Sequence, residues 1–367
     1  MKRFKQLYDG ICAFDNLLRA YYKARKGKRN NDNVAAFEVN LEYELLQLEK
    51  ELQEQTYQPG PYRTFMIYDP KKRMISAAPF RDRVVHHALC NVIEPLLDNG
   101  LIFDTYANRK GKGTHAAIRR CQTYIRRFPY AMKADIRKYF PSIDHAILKQ
   151  LIEHKIGCPP TLDLIFKIID NSNRQKAVND YFPEDDLFSI VKRRKGLPMG
   201  NLTSQFFANF YLNPFDHFVK ESLRIPGYVR YVDDFLLFGR NKVELQKAGR
   251  EVRFFLAEQL RLYLNERKSF VIPTASGISF LGQRIFSTHR LLKKANVRRF
   301  RRRLHKRLRK LNANQLSPDK FEAQLNAWLG HAQQADTWQL RETVFRDLWL
   351  HREVPVVKRE NGSWCVF

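Results

Sequence analysis

Apolar and polar positions change their spacing along the chain, and these changes predict an alternation of helices and strands. Residues 38–55 repeat apolar positions three and four residues apart among charged ones, which predicts an amphipathic helix. The segment YRTFMIYDPKKRMISAAPF predicts two strands joined by a turn at DPKKR, whose tip carries Lys71, Lys72 and Arg73. A second helix is predicted from about residue 82 to residue 97.

The middle of the chain alternates strands, loops and helices. YAMKADIRKYFPSIDH predicts a strand that ends near Asp135, followed by a turn and a helix. Residues 157–193 show no clear period, so we expect a loop-rich insertion there. KGLPMGNLTSQFFANFYL predicts a Gly/Pro loop and then a long helix, for which Asn201 or Thr203 is a candidate N-cap. A hairpin is predicted at 228–238.

The last third of the chain changes from mixed elements to basic helices. A helix at about 243–262 is followed by predicted strands in KSFVIP and ISFLGQRIF. Residues 293–310 then contain 11 Lys or Arg in 18 positions. The segment AWLGHAQQADTWQLRETVF has an amphipathic helical pattern. We therefore expect a separate helical subdomain from about residue 291 onwards.

The composition indicates a globular protein that binds a polyanion. The chain has 367 residues, 44% of them hydrophobic, which is enough for two or three subdomains. Lys and Arg outnumber Asp and Glu by 65 to 38, and the net charge of +27 points first to nucleic acid and second to an anionic membrane surface. The sequence has no run of 18 apolar residues and no signal-peptide pattern, so we expect a cytoplasmic protein without a membrane partner.

The five cysteines are far apart in the sequence, at positions 12, 90, 121, 158 and 365. None belongs to a C-x-x-C pair, so the sequence predicts neither a zinc site nor a disulfide framework. We expect thiols in a reducing compartment.

Two adjacent carboxylates, Asp233 and Asp234, interrupt the apolar stretch GYVRYVDDFLLFG. One interpretation is an ordinary hairpin turn, because Asp side chains bond to nearby backbone. The other is a metal site, because a tight turn breaks the alternation of the strand and lets both carboxylates reach one pocket. If the strand that ends at Asp135 is a neighbour, three carboxylates converge. Such a set can hold two divalent ions for in-line displacement at phosphorus.

Several segments, taken in order, resemble the reverse transcriptase family over about residues 60–290. YVDD between apolar strands resembles the family signature, and KADIRKYFPSIDH resembles its first catalytic motif. RMISAAPFRDRVVHHAL resembles the fingers, ANRKGKGTHAA the template-side loop, and FLGQRIF the primer grip. The resemblance implies an RNA-directed DNA polymerase of the α+β class, with a right-hand arrangement of fingers, antiparallel palm sheet and helical thumb. It also implies two Mg²⁺ ions, with Mn²⁺ as a substitute, held by Asp135, Asp233 and Asp234.

The resemblance further implies domain boundaries and partners. The domains are an N-terminal helical extension at 1–60, fingers at 61–129 with parts of 150–195, a palm at 130–290 and a thumb at 291–367. The partners are template RNA, a primer or cDNA strand and dNTPs. A basic accessory protein oligomer is a further candidate partner.

The resemblance assigns nucleotide-binding roles to four side chains. Phe140 lies five positions after Asp135, where the family places an aromatic ring that excludes a ribose 2′-hydroxyl; packing beneath a helix is the alternative. Lys72 and Arg73 match the fingers cations that grip the triphosphate, and a solvated basic turn is the alternative. Lys268, in NERKSF, resembles the lysine near the leaving pyrophosphate, or is a surface lysine.

The loop LPMG departs from the usual family sequence Leu-Pro-Gln-Gly because Met199 replaces the glutamine. Together with the following GNLTSQ, it resembles the reverse transcriptases of diversity-generating retroelements, which misincorporate opposite template adenines. A thioether packs loosely where an amide would hydrogen-bond, so we expect weaker discrimination between right and wrong base pairs. Gln205 is a candidate nucleotide contact beside this loop, or a residue that bonds the start of the helix.

Other roles stay open at this point. Phage-defence, retron and group II intron enzymes share the same chemistry, although the intron type is less favoured because little chain follows the thumb. Phe140 argues against an RNA-dependent RNA polymerase, which must admit the 2′-hydroxyl. A nucleic-acid-binding protein with an inactive polymerase fold is less favoured, because all three aspartates are present.

Basic residues outside the carboxylate site are expected to contact the nucleic-acid backbone. Phosphate contacts supply affinity without sequence information. Eleven cations and no acid in residues 293–310 repel one another, which disfavours an ordinary solvated face. The candidate contacts, in the Gly-rich loop and in this segment, are Arg109, Lys112, Arg298, Arg301, Arg302 and Lys306.

Overall fold

The computed structural model describes residues 3–68, 72–173, 180–182, 185–186, 188–350, 356–358 and 364–366. The chain divides into two compact units. Unit 1 comprises Met1–Gly113, Met132–Leu237 and Val243–Phe270, and unit 2 comprises Thr114–Ala131, Phe238–Lys242 and Val271–Phe367. Each unit combines helices with antiparallel strands. This composition confirms the predicted α+β class.

The first part of unit 1 is a group of helices around one hairpin. Its elements are α1 Tyr8–Cys12, α2 Phe14–Arg25, α3 Asp32–Val39, α4 Leu41–Gln53, β1 Arg63–Ile67, β2 Arg73–Ala77 and α5 Phe80–Asp98. Apolar side chains at helical spacing, such as Leu17 and Tyr21 of α2 and Leu89 of α5, are fully buried. The structure confirms α4, α5 and the antiparallel β1–β2 hairpin. The tip of that hairpin at 69–71, with Lys71, lies outside the described residues.

The next segment contains a helix that the sequence analysis missed. Its elements are α6 Thr114–Arg127, β3 Tyr130–Asp135, α7 Tyr139–Ser142, α8 His145–Glu153, α9 Pro159–Asp170 and α10 Ser189–Lys192. The prediction that 157–193 is irregular was therefore wrong for α9. Its prolines stand in the first turn, where Pro is favourable because that amide needs no partner. Ile165 and Ile169, four residues apart, are buried and anchor the helix.

The predicted long helix after the LPMG loop is divided into three pieces. These are α11 Leu202–Tyr211, α12 Asn213–His217 and a π-helical turn at Phe218–Ser222. Pro214 stands in the first turn of α12 and marks the break. Asn201 occupies the N-cap position of α11, but its side chain bonds Ala78 and Ser76 instead of the helix. The prediction that Asn201 stands at the N-cap is confirmed, but its side chain makes no capping hydrogen bond to the helix.

The hairpin that carries the paired aspartates follows. Its strands are β4 Gly227–Tyr231 and β5 Asp234–Gly239, and α13 Lys242–Leu260 comes next. The strand after α13 is β6 Phe270–Pro273, preceded by a 3₁₀ turn at Glu266–Lys268. The four-stranded sheet has the order β4-β5-β3-β6. The strand that ends at Asp135 is therefore a direct neighbour of the strand that begins at Asp234, as the metal-site interpretation requires.

The C-terminal part of unit 2 is mainly helical. Its elements are β7 Ile278–Phe280, β8 Gln283–Ile285, β9 Arg290–Leu292, α14 Lys294–Asn312, α15 Pro318–Ala332, α16 Trp338–Leu350, β10 Val356–Lys358 and β11 Trp364–Val366. Phe300 of α14 stacks on Trp328 of α15, with ring centroids 3.8 Å apart, within an apolar cluster that includes Leu304 and Leu325. The predicted helical character of this region is confirmed over the described residues.

Neither a membrane-spanning helix nor a disulfide bond is found among the described residues. In the described part of the chain, no helix combines the length and the apolar character that crossing a membrane requires. The four cysteines whose side chains the structure describes, Cys12, Cys90, Cys121 and Cys158, are buried and unbridged.

Candidate active site

The three predicted carboxylates lie at adjacent strand ends in unit 1. Asp135 is the last residue of β3, Asp233 lies in the tight turn between β4 and β5, and Asp234 is the first residue of β5. The backbone N–H of Ile136 donates to the carbonyl of Asp233 at 3.2 Å. This bond fixes the end of β3 against the turn, so the paired aspartates mark a turn beside the strand that ends at Asp135. The metal-site interpretation stays a prediction.

Electrostatics show that the three carboxylates interact. Burial is the largest cause that raises the pKa of Asp233 to about 6, and repulsion by Asp135 and then by Asp234 adds to it. The ammonium group of Lys268 lies 2.6 Å from Oδ2 of Asp135. On the other side, Lys133 Nζ lies 3.5 Å from Oδ2 of Asp234. Two lysines therefore balance part of the negative charge that the aspartates concentrate.

The donor set suits a hard divalent cation in its chemistry. Mg²⁺ prefers oxygen ligands, and a cation between these carboxylates would relieve the repulsion that raises the pKa of Asp233. Among the described residues, no group of three or more His, Cys, Asp or Glu side chains is arranged to hold a metal ion. The side chains thus have the ligand type that a divalent cation prefers, and in this structure Lys268 pairs with Asp135.

The turn itself has an unusual backbone. Val232, directly before Asp233, has φ +56°. A β-branched residue in this left-handed region is a real outlier, and such strain costs of order 1–3 kcal/mol. Strain of this kind persists only where the surrounding structure holds it in place.

The LPMG loop is tied to the backbone beside Phe140. Phe140 is half-buried in α7, and its carbonyl accepts from the N–H of Leu197 at 2.9 Å. Gly196 bonds to the carbonyl of Ile143, and its own carbonyl lies 2.9 Å from Nε2 of the buried His145. The proposed sugar-selecting ring and the loop are therefore held in one backbone arrangement.

The other end of the LPMG loop is fixed to β2. The carbonyl of Met199 accepts from the N–H of Ser76 at 2.9 Å, and the Met199 side chain is half-buried. Gly200 has φ +120°, and a Cβ there would lie 2.8 Å from Cγ2 of Ile75. Glycine suits this position, because any other side chain would be strained at this φ and would have to displace the Ile75 side chain. Gln205, one turn into α11, has an exposed side chain.

The predicted fingers cations are exposed at the base of the β1–β2 hairpin. Arg73 begins β2 and stands opposite Ile67 of β1. Lys72 Nζ lies 5.8 Å from the ring centroid of Tyr68. Both side chains are exposed, and their binding of a triphosphate stays a prediction.

The predicted nucleic-acid contacts differ in their surroundings. Arg109 is engaged inside its own loop: its guanidinium bonds both carboxylate oxygens of Asp98 and the hydroxyl of Thr105, and its side chain is 9% exposed. This corrects the expectation that Arg109 presents its guanidinium to a phosphate. Lys112 lies over the exposed ring of Phe103, with Nζ 3.5 Å from the centroid.

The helical candidates lie on the solvent face of α14 in unit 2. Arg298, Arg302 and Lys306 are exposed and follow one another at four-residue spacing, whereas Arg301 is half-buried. Phe300 and Leu304 are buried on the opposite face. The apolar stripe anchors α14, and the exposed cations form a row along its length.

Two residues of the site were missed in the sequence. Lys133 precedes Asp135 by two positions in β3, so strand alternation places both on one face, and this spacing could have identified it. Arg230 lies within the apolar β4 and is fully buried. Its partners are distant in sequence, and no local pattern identifies them.

Comparisons with known proteins found a matching family model, similar sequences and a similar solved structure. The family model described as reverse transcriptase (RNA-dependent DNA polymerase) matches residues 68–285. The protein YkfC of Escherichia coli is 25% identical over 69% of this chain and 74% of its own length. The group II intron-encoded protein LtrA of Lactococcus lactis is 21% identical over 63% of this chain, which is 48% of LtrA. The solved apo telomerase of Candida tropicalis is 12% identical over 63% of this chain and 48% of its own, with a TM-score of 0.42.

Proposed function

The chain belongs to the reverse transcriptase family, and from that membership we propose that it is an RNA-directed DNA polymerase that copies a template RNA into cDNA. The convergence of Asp135 with the Asp233–Asp234 turn carries the proposal. It rests on adjacent strands, the bond from Ile136 to Asp233 and the mutual repulsion of the carboxylates. The chain spans about half of LtrA and three quarters of YkfC, so the activity of the whole protein is part of this proposal.

The residues of the site have distinct tasks in nucleotidyl transfer. Asp135, Asp233 and Asp234 would hold two Mg²⁺ ions, which would supply activation of the primer 3′-hydroxyl and neutralisation of the triphosphate. Mn²⁺ has the same ligand preference and can replace Mg²⁺. Lys268 is close enough to the carboxylates to exchange Asp135 for the leaving pyrophosphate.

The remaining nucleotide contacts position the substrate. Lys72 and Arg73 bind the triphosphate from the β1–β2 hairpin. Phe140 excludes a 2′-hydroxyl, and the loop with Met199 lies beside the base pair. The domain boundaries at 1–60, 61–129, 130–290 and 291–367 belong to the same proposal, with the last segment as the thumb.

Primer extension on a defined RNA template tests the polymerase function. We expect cDNA in the presence of Mg²⁺ and dNTPs, and none with Asp233→Asn, which keeps the shape of the side chain and removes the charge. Asp163→Asn is the matched control, because Asp163 is a largely exposed carboxylate of α9 paired with Lys167. Nucleic-acid binding without cDNA under any condition would favour the inactive, binding-only protein instead.

The finer part of the proposal is a diversity-generating role with errors at template adenines. Its support is the LPMG loop, in which Met199 is half-buried beside β2 and offers a thioether in place of an amide. An intron-type or defence-type reverse transcriptase is the second candidate, favoured by the similarity to LtrA. Sequencing of the cDNA, made with and without a basic accessory protein, separates the two. Errors concentrated at template adenines support diversification, and faithful copies support the second candidate.

A further inference from the structure

Arg230 is a fully buried cation directly behind the catalytic turn. Its Nε donates to Oδ1 of Asp216 at 2.6 Å and its Nη2 donates to Oδ2 at 2.5 Å, in a two-pronged pair with both side chains 0% exposed. Nη1 donates to Oδ1 of Asn209 at 2.9 Å, and Nη2 also reaches the Asn209 carbonyl. Burial opposes the charge, but Asp216 outweighs it and raises the pKa of Arg230 above its ordinary value. The group is therefore a permanent, rigidly held cation.

The same guanidinium reaches the backbone of the turn. Nη1 of Arg230 donates to the carbonyl of Val232 at 3.1 Å. Val232 is the residue with φ +56°, and its carbonyl belongs to the peptide that leads into Asp233. The next carbonyl, that of Asp233, accepts from Ile136. Two successive carbonyls of the turn thus have their own donors, one from the end of β3 and one from Arg230.

This arrangement explains how a β-branched residue stays in the left-handed region. Without a fixed donor on the Val232 carbonyl, rotation about the N–Cα bond of Val232 would relieve the strain in φ and carry that carbonyl and the following Asp233 away from Asp135. Asp216 is itself held in place, because the hydroxyl of the buried Tyr228 donates to its Oδ1 at 2.7 Å. The donor that holds the turn is therefore part of a closed network, not a mobile side chain.

We propose that Arg230 is a positioning residue for the polymerase reaction: held by Asp216, it pins the carbonyl of Val232 and so maintains the strained turn that presents Asp233. Lysine cannot replace it, because a single ammonium cannot bind both oxygens of Asp216 and also reach Val232 from a fixed plane. The inference rests on the proposed function for its catalytic consequence. Its structural content, that Arg230 holds the turn, can be tested without any activity.

The first experiment is a rescue in primer extension. We expect Arg230→Lys to lower kcat roughly tenfold to a hundredfold with little change in KM for dNTP, because displacement of a catalytic group by about 1 Å costs on this scale. Val232→Gly removes the strain at φ +56°, so Arg230→Lys/Val232→Gly should recover most of the reduced kcat. A purely structural role of Arg230 predicts no rescue, and equal activity of Arg230→Lys and wild type would overturn the proposal.

The second experiment reads the turn directly by hydrogen–deuterium exchange. We expect Arg230→Lys to speed exchange of the Ile136 amide and of peptides across 228–238. Arg193→Lys is the matched control, because Arg193 is also a buried guanidinium, paired with Asp185 and Asp144, and contacts neither β4 nor the turn in the described structure. Unchanged exchange in Arg230→Lys refutes the inference whatever the activity. If the wild-type protein has no polymerase activity but Arg230→Lys still speeds exchange, the inference about the turn stands and the proposed function is refuted.

A charge-free variant guards against misfolding of Arg230→Lys. In Tyr228→Phe/Asp216→Leu/Arg230→Met, no buried charge is left without its partner, so the fold is expected to survive. The same faster exchange at Ile136 is expected, because the donor to Val232 is gone. Exchange at the wild-type rate in this variant would show that the turn does not depend on Arg230.

Discussion

The ammonium group of Lys268 and the carboxylate of Asp135 form a direct ion pair, with 2.6 Å between Nζ and Oδ2. A divalent cation on Asp135 must therefore compete with a tethered monovalent one. The Lys268 side chain is 45% exposed, so solvent weakens this competition, and exposed ion pairs contribute only about 0.2–1 kcal/mol.

Lys268→Gln should therefore tighten binding of Mn²⁺ to the protein without substrate. We expect the dissociation constant, measured by electron paramagnetic resonance titration, to fall about two- to fivefold. Arg267→Gln is the control, because Arg267 is the exposed neighbour in the same 3₁₀ turn. Weaker Mn²⁺ binding in Lys268→Gln would contradict competition. Loss of turnover in the same variant would support the role of Lys268 at the pyrophosphate.

Phe140→Val should admit ribonucleotides. The ring is half-buried beside the LPMG loop, and a smaller side chain leaves room for a 2′-hydroxyl. We expect the ratio of kcat/KM for dNTP over NTP to fall by roughly 10- to 200-fold, the range that one steric contact supplies. Single-nucleotide incorporation measures it. Phe254→Val makes the same change at an exposed position of α13, and an equal loss of discrimination there would count against Phe140.

Met199→Gln should raise fidelity at template adenines if the loop sets discrimination. The amide can hydrogen-bond near the nascent base pair, where the thioether only packs. Deep sequencing of cDNA gives the error rate for each template base. Met66→Gln places the same change at a half-buried position of β1 and should leave the spectrum unaltered. An unchanged spectrum in Met199→Gln would refute the role of this residue.

The protein should lose stability in mild acid because of His86. Burial, followed by His87 and Arg83, lowers the pKa of His86 to about 3, and burial also lowers the pKa of His87 to about 4. In the unfolded chain both groups titrate near 6.5, so the unfolded state binds more protons below that pH. The stability from neutral burial is fully present above about pH 6.5 and is lost as the pH falls towards about 3 for His86 and about 4 for His87. For the buried His86 the loss is about 1.4 kcal/mol per pH unit.

Thermal unfolding at several pH values tests this linkage. His86→Gln removes one titrating group, so its melting temperature should depend less on pH between about 6.5 and 4.5 than that of the wild type. His154→Gln alters an exposed histidine at the end of α8 and should keep the wild-type dependence. Parallel curves for wild type and His86→Gln would show that another group dominates.

The exposed row on α14 should bind nucleic acid without regard to sequence. Arg298→Gln/Arg302→Gln/Lys306→Gln removes three cations, and the slope of log K against log salt should shrink by about 0.7 to 0.9 for each phosphate that is no longer neutralised. Fluorescence anisotropy with two unrelated duplexes at several salt concentrations measures the salt slope and the dependence of binding on sequence. A matched removal of charge on α13, Lys242→Gln/Lys247→Gln/Arg250→Gln, controls for net charge. Equal slopes for the two triple variants would contradict a specific role of α14.

Local pattern was sufficient for elements whose signals lie close together in the sequence. The β1–β2 hairpin, α5, α13 and the strand end at Asp135 follow from runs of apolar residues bounded by turn residues. The helix α9 was missed because residues 157–193 were treated as one irregular insertion, although the two prolines at its start are favourable in the first turn of a helix. The helix after LPMG was predicted to be too long, because the break that Pro214 marks was not taken into account.

Pairings between distant residues could not be predicted from one sequence. Arg230 looks like an interruption of an apolar strand until Asp216, fourteen positions earlier, is found beside it. Arg109 looks like a basic loop residue available to phosphate until Asp98 is seen to bind it. In both cases a carboxylate on another element binds the arginine, so the guanidinium has a structural partner within the protein.

Two backbone hydrogen bonds, from Leu197 to Phe140 and from Ser76 to Met199, hold one loop. The proposed selection of the sugar and the proposed selection of the base pair therefore depend on the same short segment. A shift of the loop by a fraction of an ångström would move both Phe140, proposed to select the sugar, and Met199, proposed to lie beside the base pair. Lineages of this enzyme that evolve towards more or less accurate copying should therefore change their tolerance of ribonucleotides at the same time. Accuracy and sugar choice would then be inherited as one trait.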